Sequence, residues 1–156
     1  MSRLQAGEKA PLFKLQNQDD DLKSLNDYDG SWLILYFYPK DNTPGCTVEA
    51  KDFTCLLSSF SELETQVVGV SKDSTKSHRN FISKQELTIN LLSDPEMHLM
   101  DAYGAWGEKN MYGKKSMGVI RSTFLIDPKG KIAHAWYNVR AKGHAERVLL
   151  KLKELV

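Results

Sequence analysis

The sequence is short of most features that mark a specialised environment. It has two cysteines, Cys46 and Cys55, among 156 residues, which excludes the disulfide framework of small secreted domains. Its longest apolar run covers residues 32–38, far too short to cross a bilayer as a helix. The N-terminal stretch MSRLQAGEKAP lacks a hydrophobic core segment, so no signal peptide is expected and the expected location is cytoplasmic. Charge of one sign is also missing. Lys and Arg total 21 against 20 Asp and Glu, a net charge of +1, and the nearest thing to a basic cluster is the pair Lys114–Lys115. Neither nucleic acid nor a membrane surface is therefore an expected partner. His78, His98, His134 and His144 show no ligand spacing among themselves or with the cysteines. No metal or other cofactor is expected, and these histidines read as surface or partly buried side chains.

What remains is an ordinary globular composition, 41% hydrophobic and 26% charged, at a length that suits one domain over residues 1–156. No internal repeat or low-complexity stretch interrupts it. Leu12, Phe13 and Leu15, a polar turn over 17–21, then Leu22 and Leu25 predict a small hairpin or a pair of edge strands. The aromatic-rich run 32–38 predicts a central strand buried on both faces. Thr43 as N-cap and Pro44 at the first helical position predict a helix. Phe53, Leu56, Leu57, Phe60 and Leu63 extend it at helical spacing to about residue 63. Further strands are expected over 66–71, 118–127 and 131–139, the last two joined by the turn Asp127-Pro128-Lys129-Gly130. Further helices are expected over 77–87, 95–103 and 144–155. The order resembles the α/β thioredoxin-like fold: a mixed sheet with helices on both faces and extra N-terminal strands.

The most informative stretch lies at the carboxyl end of the 32–38 strand, where functional sites of open α/β sheets gather. With Thr43 as N-cap, Cys46 is the third helical residue, beside backbone N–H groups that have no helical partner. Those groups and the helix dipole favour a thiolate over a thiol, and the thiolate is the nucleophile. The plain alternative is a cysteine that fills space on the face shared with Phe53 and Phe60. A C-x-x-C dithiol is not present, because Glu49 and Thr43 occupy the positions three residues either side of Cys46; thiol–disulfide exchange of the thioredoxin type is thereby disfavoured. A redox sensor that passes oxidation to a partner protein shares the same first step.

Pro39-xxx-Thr43-xx-Cys46 resembles the peroxiredoxin active-site motif, and the longer string YPKDNTPGCTVEA is similar to the subgroup called bacterioferritin comigratory protein, or peroxiredoxin Q. Arg121, in GVIRSTFLID, falls where that family places its arginine. The resemblance covers nearly the whole chain. It implies a thiol-dependent peroxidase that reduces hydrogen peroxide and organic hydroperoxides, recycled by thioredoxin or a small-thiol reductant, as a monomer or weak homodimer. It implies Cys46 as the attacking cysteine, Thr43 as a hydroxyl for the peroxide and the sulfur, Pro39 as a shield, and Glu49 as the group that orients Arg121. For Thr43 a plain N-cap role stands beside the catalytic one, and for Pro39 a strand terminator. An always-charged guanidinium can hold a thiolate and a peroxide oxygen together.

The second half of such a cycle is open in the sequence. Many members of the subgroup carry a resolving cysteine five residues after the first, but that position holds Lys51. Cys55 is the remaining candidate. In a continuous helix it lies about 180° around and about 13.5 Å along from Cys46, whereas disulfide Cα separations rarely exceed about 7 Å. Cys55 also falls on the polar face with Lys51, Ser58 and Glu62. It is either a displaced resolving cysteine, reached by unwinding, or incidental in an enzyme served by an external thiol.

Overall fold

The computed structural model describes residues 3–156, so the first two residues of the expected 1–156 domain lie outside it. The predicted hairpin is present: β1 (Lys14–Gln16) pairs antiparallel with β2 (Leu22–Ser24). Its turn is closed by Asn17, whose Oδ1 accepts the backbone N–H groups of Asp19 and Asp21 at 2.9 and 3.1 Å, a local bond that Asn side chains readily supply.

The chain then forms β3 (Trp32–Phe37), α1 (Pro44–Cys55), α2 (Leu57–Glu62), β4 (Thr65–Ser71), α3 (Thr75–Gln85), β5 (Asn90–Ser93) and α4 (His98–Ala102). It continues with β6 (Trp106–Met111), β7 (Lys114–Val119), β8 (Ser122–Ile126), β9 (Ile132–Trp136) and α5 (His144–Leu155). Five strands make the central sheet in the order β5-β4-β3-β8-β9. β3 is parallel to β4 and antiparallel to β8, so the sheet is mixed.

Strand alternation sorts the core onto the two faces of this sheet. Leu33, Leu35 and Phe37 of β3 join Val68, Val70, Phe124 and Ile126 on one face, beneath α4 and the N-terminal hairpin region. Ile34, Tyr36 and Tyr38 join Cys46, Phe53, Phe60, Phe81 and Val148 on the other, beneath α1, α2, α3 and α5. Tyr36 stacks on Phe53 with ring centroids 4.8 Å apart. Fully burying one side chain of this class stabilises by roughly 1.5–3 kcal/mol, so the β3–α1 contact is a strong local anchor. Cys46 belongs to that anchored helix.

Two expectations need correction, and two elements are unanticipated. The helix expected to run to residue 63 breaks at Leu56 (φ −95°, ψ 3°), although Leu56 N–H still reaches Asp52 O at 3.1 Å. The strand expected over 118–127 is two elements: Gly118 and Val119 end β7, the chain changes sheets at Ile120 and Arg121, and β8 begins at Ser122. β6 and β7 form a hairpin of their own, turned by Tyr112 and Gly113 at φ +53° and +79°; their exposed, largely polar residues carry no alternating pattern to read. β5 adds a fifth strand from only four residues, Asn90–Ser93, too short to signal by periodicity. Among the described residues no helix is long and apolar enough to cross a membrane.

Candidate active site

β3 delivers the chain to the site. After Phe37 and Tyr38, Pro39 ends the strand, and the loop turns through Asn42 at φ +60°, a left-handed conformation that Asn tolerates better than most residues. Thr43 has the extended N-cap backbone (φ −91°, ψ 155°) and Pro44 starts α1. Thr47 N–H donates to Thr43 O at 2.9 Å, so the N–H groups of Gly45 and Cys46 precede the first closed turn.

Cys46 is 2% exposed and packs in the α1 face of the core. Arg121 reaches it from the junction between β7 and β8. Its Nη2 donates to Cys46 Sγ at 3.3 Å and its Nη1 donates to Glu49 Oε1 at 2.6 Å. Glu49 stands one turn beyond Cys46 on α1, so a single planar fork spans both partners. The Glu49 side chain is wholly buried, and its second oxygen has no protein partner. Burial pushes the Glu49 carboxyl up, to about 7, against the pull of Arg121. Burial works to lower Arg121, but Glu49 and Cys46 outweigh it and hold the guanidinium charged.

Close approach explains a glycine at position 45. A Cβ there would lie 3.2 Å from Arg121 Nη2 and 3.9 Å from Ala141 Cβ. The loop before α5 thus forms a wall of the site. His144, the first residue of α5, is wholly buried, faces Phe53 and Trp136 edge-on, and shares a 2.7 Å hydrogen bond with Thr123 Oγ1. Burial first, then Arg147 and Arg121, pushes its imidazole down to about 4.

The expected residues fall out as follows. Cys46, Glu49 and Arg121 are brought into one bonded group. Thr43 lies at the helix start, but its side chain does not cap the helix; its hydroxyl donates to Lys40 O at 2.8 Å. A hydroxyl so committed keeps its oxygen free to accept a hydrogen bond. Pro39 is half-buried at the end of β3. Cys55 is apart from the group: it is exposed, on the last residue of α1, as the polar-face reading anticipates. Both cysteines are free thiols.

Two of the four histidines correct the surface reading, because His78 and His144 are both fully buried. His78 joins Asp41, Tyr38 and Asp73 in a polar cluster behind the active-site loop. Asp41 lies inside the motif string and is a signal that reading for nucleophiles passes over. His78 carries no spacing signal at all. Among the described residues no group of three His, Cys, Asp or Glu side chains is arranged to hold a metal ion.

Known proteins resemble this chain over most of its length. The model of the AhpC/TSA family matches residues 6–135. The chain is 48% identical to the peroxiredoxin Bcp of Xanthomonas campestris over 130 residues, 83% of this chain and 81% of that one. It is 43% identical to the peroxiredoxin Bcp of Bacillus subtilis over 152 residues, 97% of each. Among solved structures, the bacterioferritin comigratory protein of X. campestris, studied for its alkyl peroxide reduction activity, superposes with a TM-score of 0.89 and 42% identity, covering 96% of this chain and 98% of that one.

Proposed function

This chain belongs to the AhpC/TSA family, on its bacterioferritin comigratory protein or peroxiredoxin Q branch, and we propose that Cys46 is the residue through which it works. The protein is a thiol-dependent peroxidase. The observation that carries the assignment of Cys46 is the Arg121 fork, one nitrogen on Cys46 Sγ and the other on Glu49 Oε1.

The reaction is a displacement on the O–O bond. The Cys46 thiolate attacks the terminal oxygen of a hydroperoxide, the S–O bond forms as the O–O bond breaks, and the leaving oxygen departs as alkoxide or hydroxide. That oxygen takes a proton to become alcohol or water, and Cys46 is left as the sulfenic acid. Negative charge moves from sulfur to the leaving oxygen, along the line that Arg121 can follow with donors already in place. Thr43 is suited to accept the peroxide O–H, since its own proton is held by Lys40 O. Pro39 offers no N–H to compete at the loop wall. Glu49 aims the guanidinium. Hydrogen peroxide and organic hydroperoxides, alkyl peroxides among them, are the substrate class.

A thiol then condenses with the sulfenic acid to give a disulfide and water, and a second thiol releases Cys46. Thioredoxin or a small thiol is the reductant we favour. The positions of the two cysteines support an external donor: Cys46 is buried, while Cys55 is exposed at the far end of the same helix. A Cys46–Cys55 bond requires α1 to unwind. Two free thiols suit a reducing compartment, the cytoplasm. A single domain over 1–156 working as a monomer or weak homodimer completes the reading, supported by one central sheet with core on both faces. The test is steady-state turnover with hydroperoxide and thioredoxin. Cys46→Ser abolishes it and Cys55→Ser leaves it within twofold. Retained activity in the first variant overturns the assignment of Cys46, and loss in the second makes Cys55 the resolving residue.

A further inference from the structure

The polar cluster behind the loop takes no part in the chemistry above, yet it centres on Asp41, a residue of the loop that carries the site. Asp41 lies between Pro39 and Thr43 and is 5% exposed. Its Oδ1 accepts from Tyr38 Oη at 2.5 Å, and its Oδ2 accepts from Ser77 Oγ and shares a hydrogen bond with His78 Nδ1, both at 2.8 Å. Its backbone N–H donates to Asp73 Oδ2 at 2.9 Å, and that oxygen also receives Ser71 Oγ at 2.7 Å. His78 is fully buried, and its Nε2 donates to the Leu92 carbonyl of β5 at 2.9 Å. Both ring nitrogens thus lie within hydrogen-bond distance of an oxygen, and the ring bridges Asp41 to β5. Among the described residues no side-chain hydrogen bond joins these groups to Cys46, Glu49 or Arg121.

We infer that His78 is a positioning residue for Cys46, holding Asp41 and through it the 39–43 loop in the shape that seats the sulfur against Arg121. The loop needs such a tie. It includes a left-handed Asn42, and the Thr43–Lys40 contact binds the loop only to itself. His78 instead fixes it to α3 and β5, elements that do not otherwise belong to the site. A buried polar group is also costly to leave without its hydrogen-bond partner, which gives the tie a single register. The consequence is directional. A small peroxide can be met by the seated sulfur, whereas a thiol reductant must reach a sulfur that is 2% exposed. The tie therefore favours the oxidation step and does not favour the reduction step.

This inference rests on the assignment of Cys46, and the test separates the two. The two half-reactions are measured by quenched-flow mass spectrometry of Cys46: oxidation by hydrogen peroxide, and reduction of the preformed sulfenic acid by dithiothreitol. His78→Phe removes both ring nitrogens and is expected to slow oxidation at least tenfold while reduction is no slower than in the parent. His78→Asn, whose amide can stand near the Nδ1 position, recovers most of the oxidation rate. His78→Gln, whose amide stands nearer Nε2 and Leu92, does not. If His78→Phe does not fold, the Asn and Gln variants decide by the same contrast, with Ser77→Ala, which removes one donor from Asp41, expected to slow oxidation without slowing reduction. Oxidation at the parental rate in a folded His78→Phe or His78→Gln overturns the inference, as does equal slowing of both half-reactions. If the parent's Cys46 is not the residue oxidised, the functional assignment itself fails.

Discussion

Replacing Arg121 by Lys probes the fork that joins Cys46 to Glu49. Lysine keeps the positive charge but lacks the planar fork that sets two separate nitrogens, Nη2 and Nη1, against Cys46 Sγ and Glu49 Oε1 at 3.3 and 2.6 Å. One hydrogen bond to a charged partner is lost, a net change of roughly 1.5–3 kcal/mol. At about 1.4 kcal/mol per factor of ten, the second-order rate of Cys46 oxidation falls roughly 10- to 150-fold. Rapid-quench alkylation of the remaining thiol reads that rate directly. A folded Arg121→Lys protein that oxidises Cys46 within threefold of the parent refutes the reasoning, because charge alone would then suffice. Arg121→Met adds a stability signature. Without its partner, buried Glu49 is held protonated, with its carboxyl pushed beyond the value of about 7 it has beside Arg121. A raised carboxyl contributes stability that is complete below its ordinary value of 4.5 and is lost as pH rises through the folded value. The variant is therefore least destabilised near pH 5, and the deficit against the parent grows toward pH 8 in urea unfolding.

Two further outcomes follow from close contacts. Gly45→Ala places a Cβ 3.2 Å from Arg121 Nη2, so the guanidinium must retreat by a few tenths of an ångström; peroxide oxidation slows about tenfold, about 1.4 kcal/mol of barrier, while the melting temperature barely moves. His144 is neutral and buried, pushed from 6.5 down to about 4. Its stability contribution is complete above pH 6.5 and is lost as pH falls through about 4, up to about 3 kcal/mol. His144→Phe should flatten the unfolding free energy across that interval relative to the parent, and an unchanged slope would remove His144 from acid sensitivity.

The parts of the fold legible in the sequence are those with strong local signals. Continuous apolar residues announced β3 and β4, Thr43-Pro44 announced the start of α1, and the apolar face of α5 announced the closing helix. The β6–β7 hairpin was hidden because its residues point mostly to solvent, and β5 because Asn90–Ser93 is too short for a period. The apolar spacing, which Leu56 fits, predicts one continuous helix through residue 63; only the backbone of Leu56 reveals the break. At the site, motif residues found Cys46, Glu49 and Arg121. The engagement of Thr43 with Lys40 spans only three residues, but the cap signal at Thr43 points to a different partner; the tie between Asp41 and His78 spans 37 residues, and no local pattern encodes it.

The central claim is that Cys46 is the attacking nucleophile. One equivalent of hydrogen peroxide added to the reduced protein, followed by a sulfenic-acid-specific label and peptide mass spectrometry, tests it most directly. The expected result is stoichiometric label at Cys46 with Cys55 remaining a free thiol. Label at Cys55 with Cys46 unmodified would contradict it.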